Sequence, residues 1–454
     1  MYMSFRAELG AMVRLAFPIV IVQLGQMLMG VVDTVMVGHV SAEAIAAVAL
    51  GNLYFFGAAI FGMGVLMALD PVVAQAVGAG DTEAVARGVQ RGVLLALGLS
   101  VVATALLLPA RQVLGLLHQP PEVADVAGTY AKIEIAGLLP FYLFGALRQS
   151  LQALKRIAPI VAAMVVGNLA NGGLNYLWIY GHWGFPAAGA VGSAWATAVS
   201  RWVMLAWLLA VAWRTLRPQL LPLRREAAAW EPLRRMAALG APIGIQYELE
   251  YGVFAVVGIM MGWMGTAQLA GHQVALNLAS LAFMVPLGVS AAAAVLVGHA
   301  IGRSDVAEAR RAAAAGLVCG VGFMSASALV MLVVPAWLAG LYSTDVGVVA
   351  LAASLIPIAG VFQVFDGIQV VSIGILRGVA DTRAPMIINV LGFWLVGLPV
   401  SAALGFGLRA GPRGLWWGLT AGLVVVALVL IWRVRRRLSG QITRLVIDRD
   451  ALPT

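Results

Sequence analysis

Along this chain, long apolar runs alternate with short breaks rich in charge, glycine or proline. A membrane-spanning helix needs roughly 20 mostly apolar residues. Read between the breaks, the pattern predicts twelve spans, at 13–38, 45–77, 88–117, 124–147, 158–180, 187–213, 236–262, 266–301, 310–340, 346–376, 385–407 and 413–433. The first apolar run, from Leu15 to Val37, is long enough to span and lacks a small-residue cleavage site, so it reads as a retained helix and not as a signal peptide.

Composition turns this pattern into a class. Hydrophobic residues make up 62% of the chain, charged residues only 11%, and the mean hydropathy is +0.94. A soluble domain carries about 25% charged residues. The expected fold class is therefore an all-α polytopic membrane protein. The formal net charge of +9 raises the question of nucleic acid, but its placement answers it: 24 of the 29 basic residues, among them Arg14, Arg91, Arg148, Arg235, Arg377 and the tail to Arg449, fall at one set of span ends. Four fall at the other (Arg111, Lys132, Arg409, Arg413), and Arg201 lies inside a span. The positive-inside rule places the first set, and both termini, in the cytoplasm. An even number of spans agrees. The expected setting is a membrane, with no nucleic-acid partner.

Catalytic and redox chemistry find little support. The lone cysteine, Cys319, permits no intrachain disulfide and reads as a small buried hydrophobe. The five histidines (His39, His118, His182, His272, His299) have no metalloprotease spacing, and no GxxxxGK[ST] loop is present. Neither an enzyme nor an ATP-driven pump is expected, and no resident cofactor.

The chain also repeats itself. At an offset of 224 residues, Pro18 falls on Pro242, and PVVAQAVGAGD (from Pro71) falls on VLVGHAIGRSD (from Val295). Near the ends of the halves, GSAWATA at Gly192 matches GLWWGLT at Gly414. Six spans per half give both halves one orientation, related by a pseudo-two-fold axis along the membrane normal. The expected domains are an N-terminal lobe (1–213), an inter-lobe loop (214–235), a C-terminal lobe (236–433) and a basic tail (434–454). Transporters built from such repeats bind substrate near mid-membrane.

Ionisable groups inside spans are therefore the candidates for function. A carboxylate at the centre of a membrane helix costs about 2.5 to 3.5 kcal/mol on insertion scales. Asp33 lies 19 residues from Arg14, and Asn175 19 residues from Arg156, so both sit roughly 28 Å along their helices. Asn171, one turn from Asn175, shares its face. Thr197 on span six has similar depth. One carboxylate, two amides and a hydroxyl offer oxygen ligands for a hard cation such as Na⁺, or hold a carried proton. The two amides alone would equally serve helix–helix hydrogen bonding. Gln26, two turns before Asp33, joins this N-lobe set, and Gly30 between them would permit close helix approach. In the second half, Glu250 and Asp366 both lie near mid-membrane, suited either to a cationic substrate and ion exchange or to polar contacts between helices. Glu248, Asp70 and Arg201 are secondary candidates. Asp70 would cap or snorkel, Lys132 and Glu134 would reach the interface, and Arg201 needs an unidentified partner.

These motifs together resemble a known family. QLGQMLMGVVDTVMVG, ALDPVVAQAVGAGD, NGGLNYLWIYG, PIGIQYELEYGVFAVV and FQVFDGIQVVSIGILRG look like the NorM branch of the multidrug and toxic compound extrusion (MATE) transporters, over nearly the whole chain and in order. The resemblance implies twelve helices in two six-helix lobes, and export of cationic, amphipathic drugs or dyes in exchange for Na⁺ or H⁺ by a functional monomer. It aligns Asp33, Gln26, Asn171, Asn175 and Thr197 with the N-lobe coupling site. Glu250 and Asp366 fall on the C-lobe acids, which leaves Na⁺ at Asp33, Asn171 and Asn175 or at Glu250 and Asp366. Asp70, Glu248 and Asn175 depart from the common pattern. A flippase for lipid-linked sugars, from the wider superfamily, is the alternative; it would need a large cationic cavity, whereas mid-depth here carries acids.

Overall fold

A computed structural model describes residues 5–116, 121–440 and 442–448. His118 lies outside the described residues, as do residues 441 and 449–454 of the tail, Arg449 among them. The helices run α1 (Phe5–Gly38), α2 (Ala42–Leu66), α3 (Leu69–Gly78), α4 (Thr82–Leu107), α5 (Ala110–Leu116), α6 (Pro121–Ala153), α7 (Ala158–Tyr180) and α8 (Gly189–Leu220). After a short 3-10 turn follow α9 (Trp230–Met264), α10 (Thr266–Gly302), α11 (Val306–Val333), α12 (Pro335–Gly340), α13 (Val346–Gly378), α14 (Arg383–Val390), α15 (Leu398–Ala402) and α16 (Gly411–Ser439). Among the described residues twelve helical segments are long and apolar enough to cross a membrane, and they are the twelve spans of the apolar pattern. Several run a turn or two beyond the apolar limits, because helical backbone continues into the charged ends; the expected spans 88–117 and 310–340 instead stop at Leu107 and Val333, where the chain breaks beside Pro109 and Pro335 and resumes as the short α5 and α12. Span two is α2 and α3 with a turn between; span eleven is α14 and α15, each continuing into a π-helical stretch (Leu391–Gly397 and Ala403–Gly407).

The internal repeat has a structural cause at its most exact match. Asp81 caps α4 by accepting from the Ala84 amide at 2.9 Å, and Asp305 caps α11 by accepting from Glu308 at 2.8 Å. Each follows a left-handed residue, Gly80 (φ +71°) and Ser304 (φ +60°). A tight turn followed by a carboxylate cap satisfies the orphan amides of the next helix, so the two GxGD-like ends form one turn built twice.

The chain divides into two compact units. One takes the chain up to Val20 together with Ile245–Leu445; the other takes Ile21–Gly244 and the tail residues Val446, Ile447 and Asp448. The borders therefore fall within α1 and α9, two residues past the repeat-related Pro18 and Pro242, and not in the 214–235 connection. In the first unit α13 packs against α10, α11 and α16; in the second α6 packs against α2, α4 and α8, and α7 against α8.

Not every basic residue at the arginine-rich span ends stands in a loop. Arg91, Arg148 and Arg377 are buried within α4, α6 and α13. Arg91 donates to the Glu226 carbonyl and to Asp448, while the neighbouring Gln90 holds the carbonyls of Gln219, Leu220 and Pro222. These side chains anchor the ends of the connections and leave fewer charges in water than the sequence pattern implied.

Candidate functional site

In the second unit, α1, α7 and α8 converge on Asp33. Its carboxylate is 3% exposed, and both oxygens are engaged. Oδ1 accepts from Asn175 Nδ2 at 2.6 Å and from Asn171 Nδ2 at 3.0 Å; Oδ2 accepts from the Thr197 hydroxyl at 2.8 Å. Asn175 also donates to Asn171 Oδ1 at 3.2 Å. The i, i+4 spacing of the two asparagines puts both amides on one face of α7.

Close backbone approach fixes that face. A Cβ on Gly192 of α8 would lie 2.4 Å from the Trp178 carbonyl oxygen, so only glycine lets α8 cross α7 here. Gly181 ends α7 in the left-handed conformation (φ +74°), with its amide bonded to the Leu177 carbonyl. Position 414, the repeat partner of Gly192, is again a glycine whose Cβ would meet backbone, at Leu404. Gly30 plays no such part: a Cβ there meets nothing within 4 Å, whereas one on Gly25 would strike Met164.

Gln26 does not join this cluster. Its side-chain oxygen accepts from Arg148 at 2.9 Å, and Gln23 accepts from the same guanidinium at 3.2 Å. Two helical turns separate it from Asp33, and the buried arginine, read from sequence as a loop charge, claims it instead. Glu134 also departs from expectation. It does not reach the interface; it is wholly buried and pairs with Arg201 at 2.5 Å, which supplies the partner Arg201 required. Lys132 is exposed as expected.

In the first unit, Glu250 of α9 is the second centre. Gln369 donates to Oε1 at 3.3 Å and Asn389 to Oε2 at 3.5 Å. Gln246, one turn earlier on α9, and Trp394 line the same cleft, with the Trp394 indole donating to the Leu249 carbonyl at 3.2 Å. Trp394 lies in a π-helical stretch, a distortion that often re-aims side chains at functional sites. Asp366 of α13 is buried, one turn before the Gln369 that donates to Glu250. Glu248 is half-buried. Asp70 does not snorkel: it is 2% exposed in the first turn of α3. Gln246, Gln369 and Asn389 escaped the sequence reading. Gln246 and Gln369 had a signal, at i−4 of Glu250 and i+3 of Asp366; Asn389 was legible only as a lone amide in an apolar run.

The two centres share a chemical design. Each sets amide N–H groups on an intramembrane carboxylate, buried at Asp33 and half-buried at Glu250, while leaving at least one amide oxygen idle. Asn175 Oδ1, Gln369 Oε1 and Asn389 Oδ1 are buried with no hydrogen-bond partner among the described residues. A half-turn of an amide would exchange a donor for an acceptor beside the carboxylate. Such oxygen-only sets suit hard monovalent cations or protons. No group of three or more His, Cys, Asp or Glu gathers among the described residues.

Comparison with known proteins agrees with this architecture. The MatE family model matches residues 18–177 and again 242–403, starting each copy at the repeat-related prolines. A protein of Edwardsiella ictaluri called multidrug resistance protein MdtK is 36% identical over 94% of this chain and 95% of its own length. Among solved structures, the eukaryotic MATE transporter AtDTX14 is similar at a TM-score of 0.87 and 21% identity, over 96% of this chain and 99% of that one. The Vibrio cholerae MATE transporter VcmN in the bent form gives 0.86 at 18% identity, over 96% and 98%. With two matches that together span more than half of the chain and relatives alike over its full length, this twelve-span protein belongs to the MatE family of MATE transporters.

Proposed function

We propose that the chain is a secondary active multidrug efflux antiporter of the NorM type, which exports cationic amphipathic compounds in exchange for Na⁺ or H⁺ by alternating access. The observation that carries this reading is the pair of intramembrane carboxylates, buried Asp33 and half-buried Glu250, each dressed with amides of which at least one has an idle oxygen. The MdtK relatives carry multidrug resistance in their name. It works as a monomer in a bacterial inner membrane, with both termini in the cytoplasm, a placement that the arginine-rich ends support.

In this reading Asp33 holds the coupling cation, and Glu250 with Asp366 meets the cationic drug or exchanges an ion against it. When no cation is bound, three donors stabilise the Asp33 carboxylate. A cation replaces them, and the amides turn to present oxygen. The states with and without cation thus differ in side-chain packing around α1, α7 and α8. Transport is coupled because drug and ion have different affinities for those states. The flippase alternative loses ground, since Arg201, the buried base it offered, is paired with Glu134.

The test is dye efflux in inverted vesicles with a pH or a Na⁺ gradient imposed separately. One gradient should drive efflux and the other should not. Asp33→Asn, Glu250→Gln and Asp366→Asn should each abolish it at wild-type expression. Full efflux by the Asp33→Asn protein would remove Asp33 from the mechanism.

A further inference from the structure

Resting on the reading of Asp33 as the coupling-cation site, we infer that Glu134 and Arg201 are positioning residues that fix the charge balance of that site, so that it takes up one monovalent cation. Neither contacts Asp33 through a hydrogen bond, but both act on it. Arg201 lies one turn beyond Thr197 on α8, on the same face. Its charge attracts Asp33, and Glu134 and Asp33 repel one another.

The pair is built in, not incidental. Glu134 is 0% exposed and Arg201 9%, with Nη1 to Oε2 at 2.5 Å. The guanidinium lies over the Phe55 ring at 4.3 Å and faces Phe141 at 5.2 Å. Room for it comes from Gly137 of α6, where a Cβ would stand 2.9 Å from Ala198 Cα and 3.1 Å from Arg201 Nη1. One turn before Glu134, the Tyr130 hydroxyl donates to Asn52 at 3.3 Å and so is held by α2. The ionisable groups here are thus Asp33, Tyr130, Glu134 and Arg201.

Their charges decide what the site can bind. A guanidinium does not lose its proton in a protein, so Arg201 contributes a permanent +1. Were it alone with Asp33, it would be the permanent counter-ion of that carboxylate, and an incoming cation would gain little. Glu134 claims Arg201 instead. Asp33, Glu134 and Arg201 then sum to −1, and one Na⁺ or H⁺ brings the buried cluster to neutrality, the state a low-dielectric interior favours. Glu134 is what leaves the Asp33 charge available to a transported ion.

The experiment measures the concentration of the driving cation, Na⁺ or H⁺, that gives half-maximal dye efflux from proteoliposomes. Glu134→Gln should raise it about tenfold, because Arg201 is freed to compensate Asp33. Arg201→Gln should lower it about tenfold, because the cluster becomes −2. A change of tenfold corresponds to about 1.4 kcal/mol. Glu134→Asp should stay near wild type. The double variant, Glu134→Gln with Arg201→Gln, restores a sum of −1 and should return within about threefold of wild type, which guards against a single variant that fails to fold. A merely structural ion pair would weaken both single variants alike and leave the double no better; shifts of the same sign, or no shift, overturn the proposal. Asp33→Asn is measured alongside. If it retains the cation dependence of wild type, the reading of Asp33 falls and the charge balance with it; if it loses that dependence while the four other variants fail the pattern, only the charge balance falls.

Discussion

Asp33 is held by three donors at 2.6 to 3.0 Å, and the shortest of these bonds comes from Asn175. Removing one donor from a buried carboxylate costs about 1–3 kcal/mol. Asn175→Leu loses that donor from the empty site but also the idle Oδ1 that would turn to a bound metal cation, so if Na⁺ drives transport it should raise the concentration needed for efflux about tenfold or more, with expression preserved. Stabilisation of the purified protein by the driving cation, read as a thermal shift in detergent, checks this without transport. An unchanged shift would mean that Asn175 serves helix packing alone. The depth argument from sequence brought Asp33, Asn171, Asn175 and Thr197 to one level, and the structure joins those four. It failed for Gln26 because depth along one helix says nothing about which neighbour faces it. Arg148 does, and its place inside α6 was hidden by its resemblance to a loop charge.

At the scale of elements, the site depends on how closely α7 and α8 approach. A Cβ at position 192 meets backbone, which cannot swing aside, whereas one at position 30 meets open space. Overpacking of this kind costs about 1–3 kcal/mol, while Gly→Ala in an unhindered helix gains up to about 1 kcal/mol. Gly192→Ala should lower the midpoint of thermal unfolding and weaken the cation response together, because it displaces Thr197 relative to the α7 asparagines. Gly30→Ala should leave both unchanged or raise stability slightly. Equal effects from the two would remove the crossing from the account. Here the apolar pattern predicted the number and order of the spans but ran through the breaks at Pro109 and Pro335 and pointed to the wrong glycine. Spacing along a helix marks small residues without telling which one faces a backbone.

At the scale of the whole molecule, the chain passes between its two units within α1, within α9 and again after Leu445. In the last passage Asp448 is drawn to Arg87 and Arg91 of α4. The arginine-rich span ends carry the orientation argument, and the burial of Arg91, Arg148 and Arg377 reduces the charge in the connections without reversing the asymmetry. With green fluorescent protein fused to the C-terminus, cells should fluoresce, and a periplasm-dependent alkaline phosphatase fused there should be inactive. An active phosphatase would reverse the orientation.

Sequence by itself determined the class, the twelve spans, the two-fold repeat and the short list of intramembrane acids. Each follows from local physics: apolar runs must span, backbone groups in lipid must close into helices, and a charge at that depth stands out against its neighbours. The partners of those acids were decided by tertiary structure. That Glu134 belongs to Arg201, that Gln26 belongs to Arg148, and that Gln369 and Asn389 attend Glu250 are facts about helices far apart in sequence. Side-chain pairing depends on rotation and crossing, which a periodic apolar pattern leaves free. Packing at glycines such as Gly137 and Gly192 then settles which faces meet.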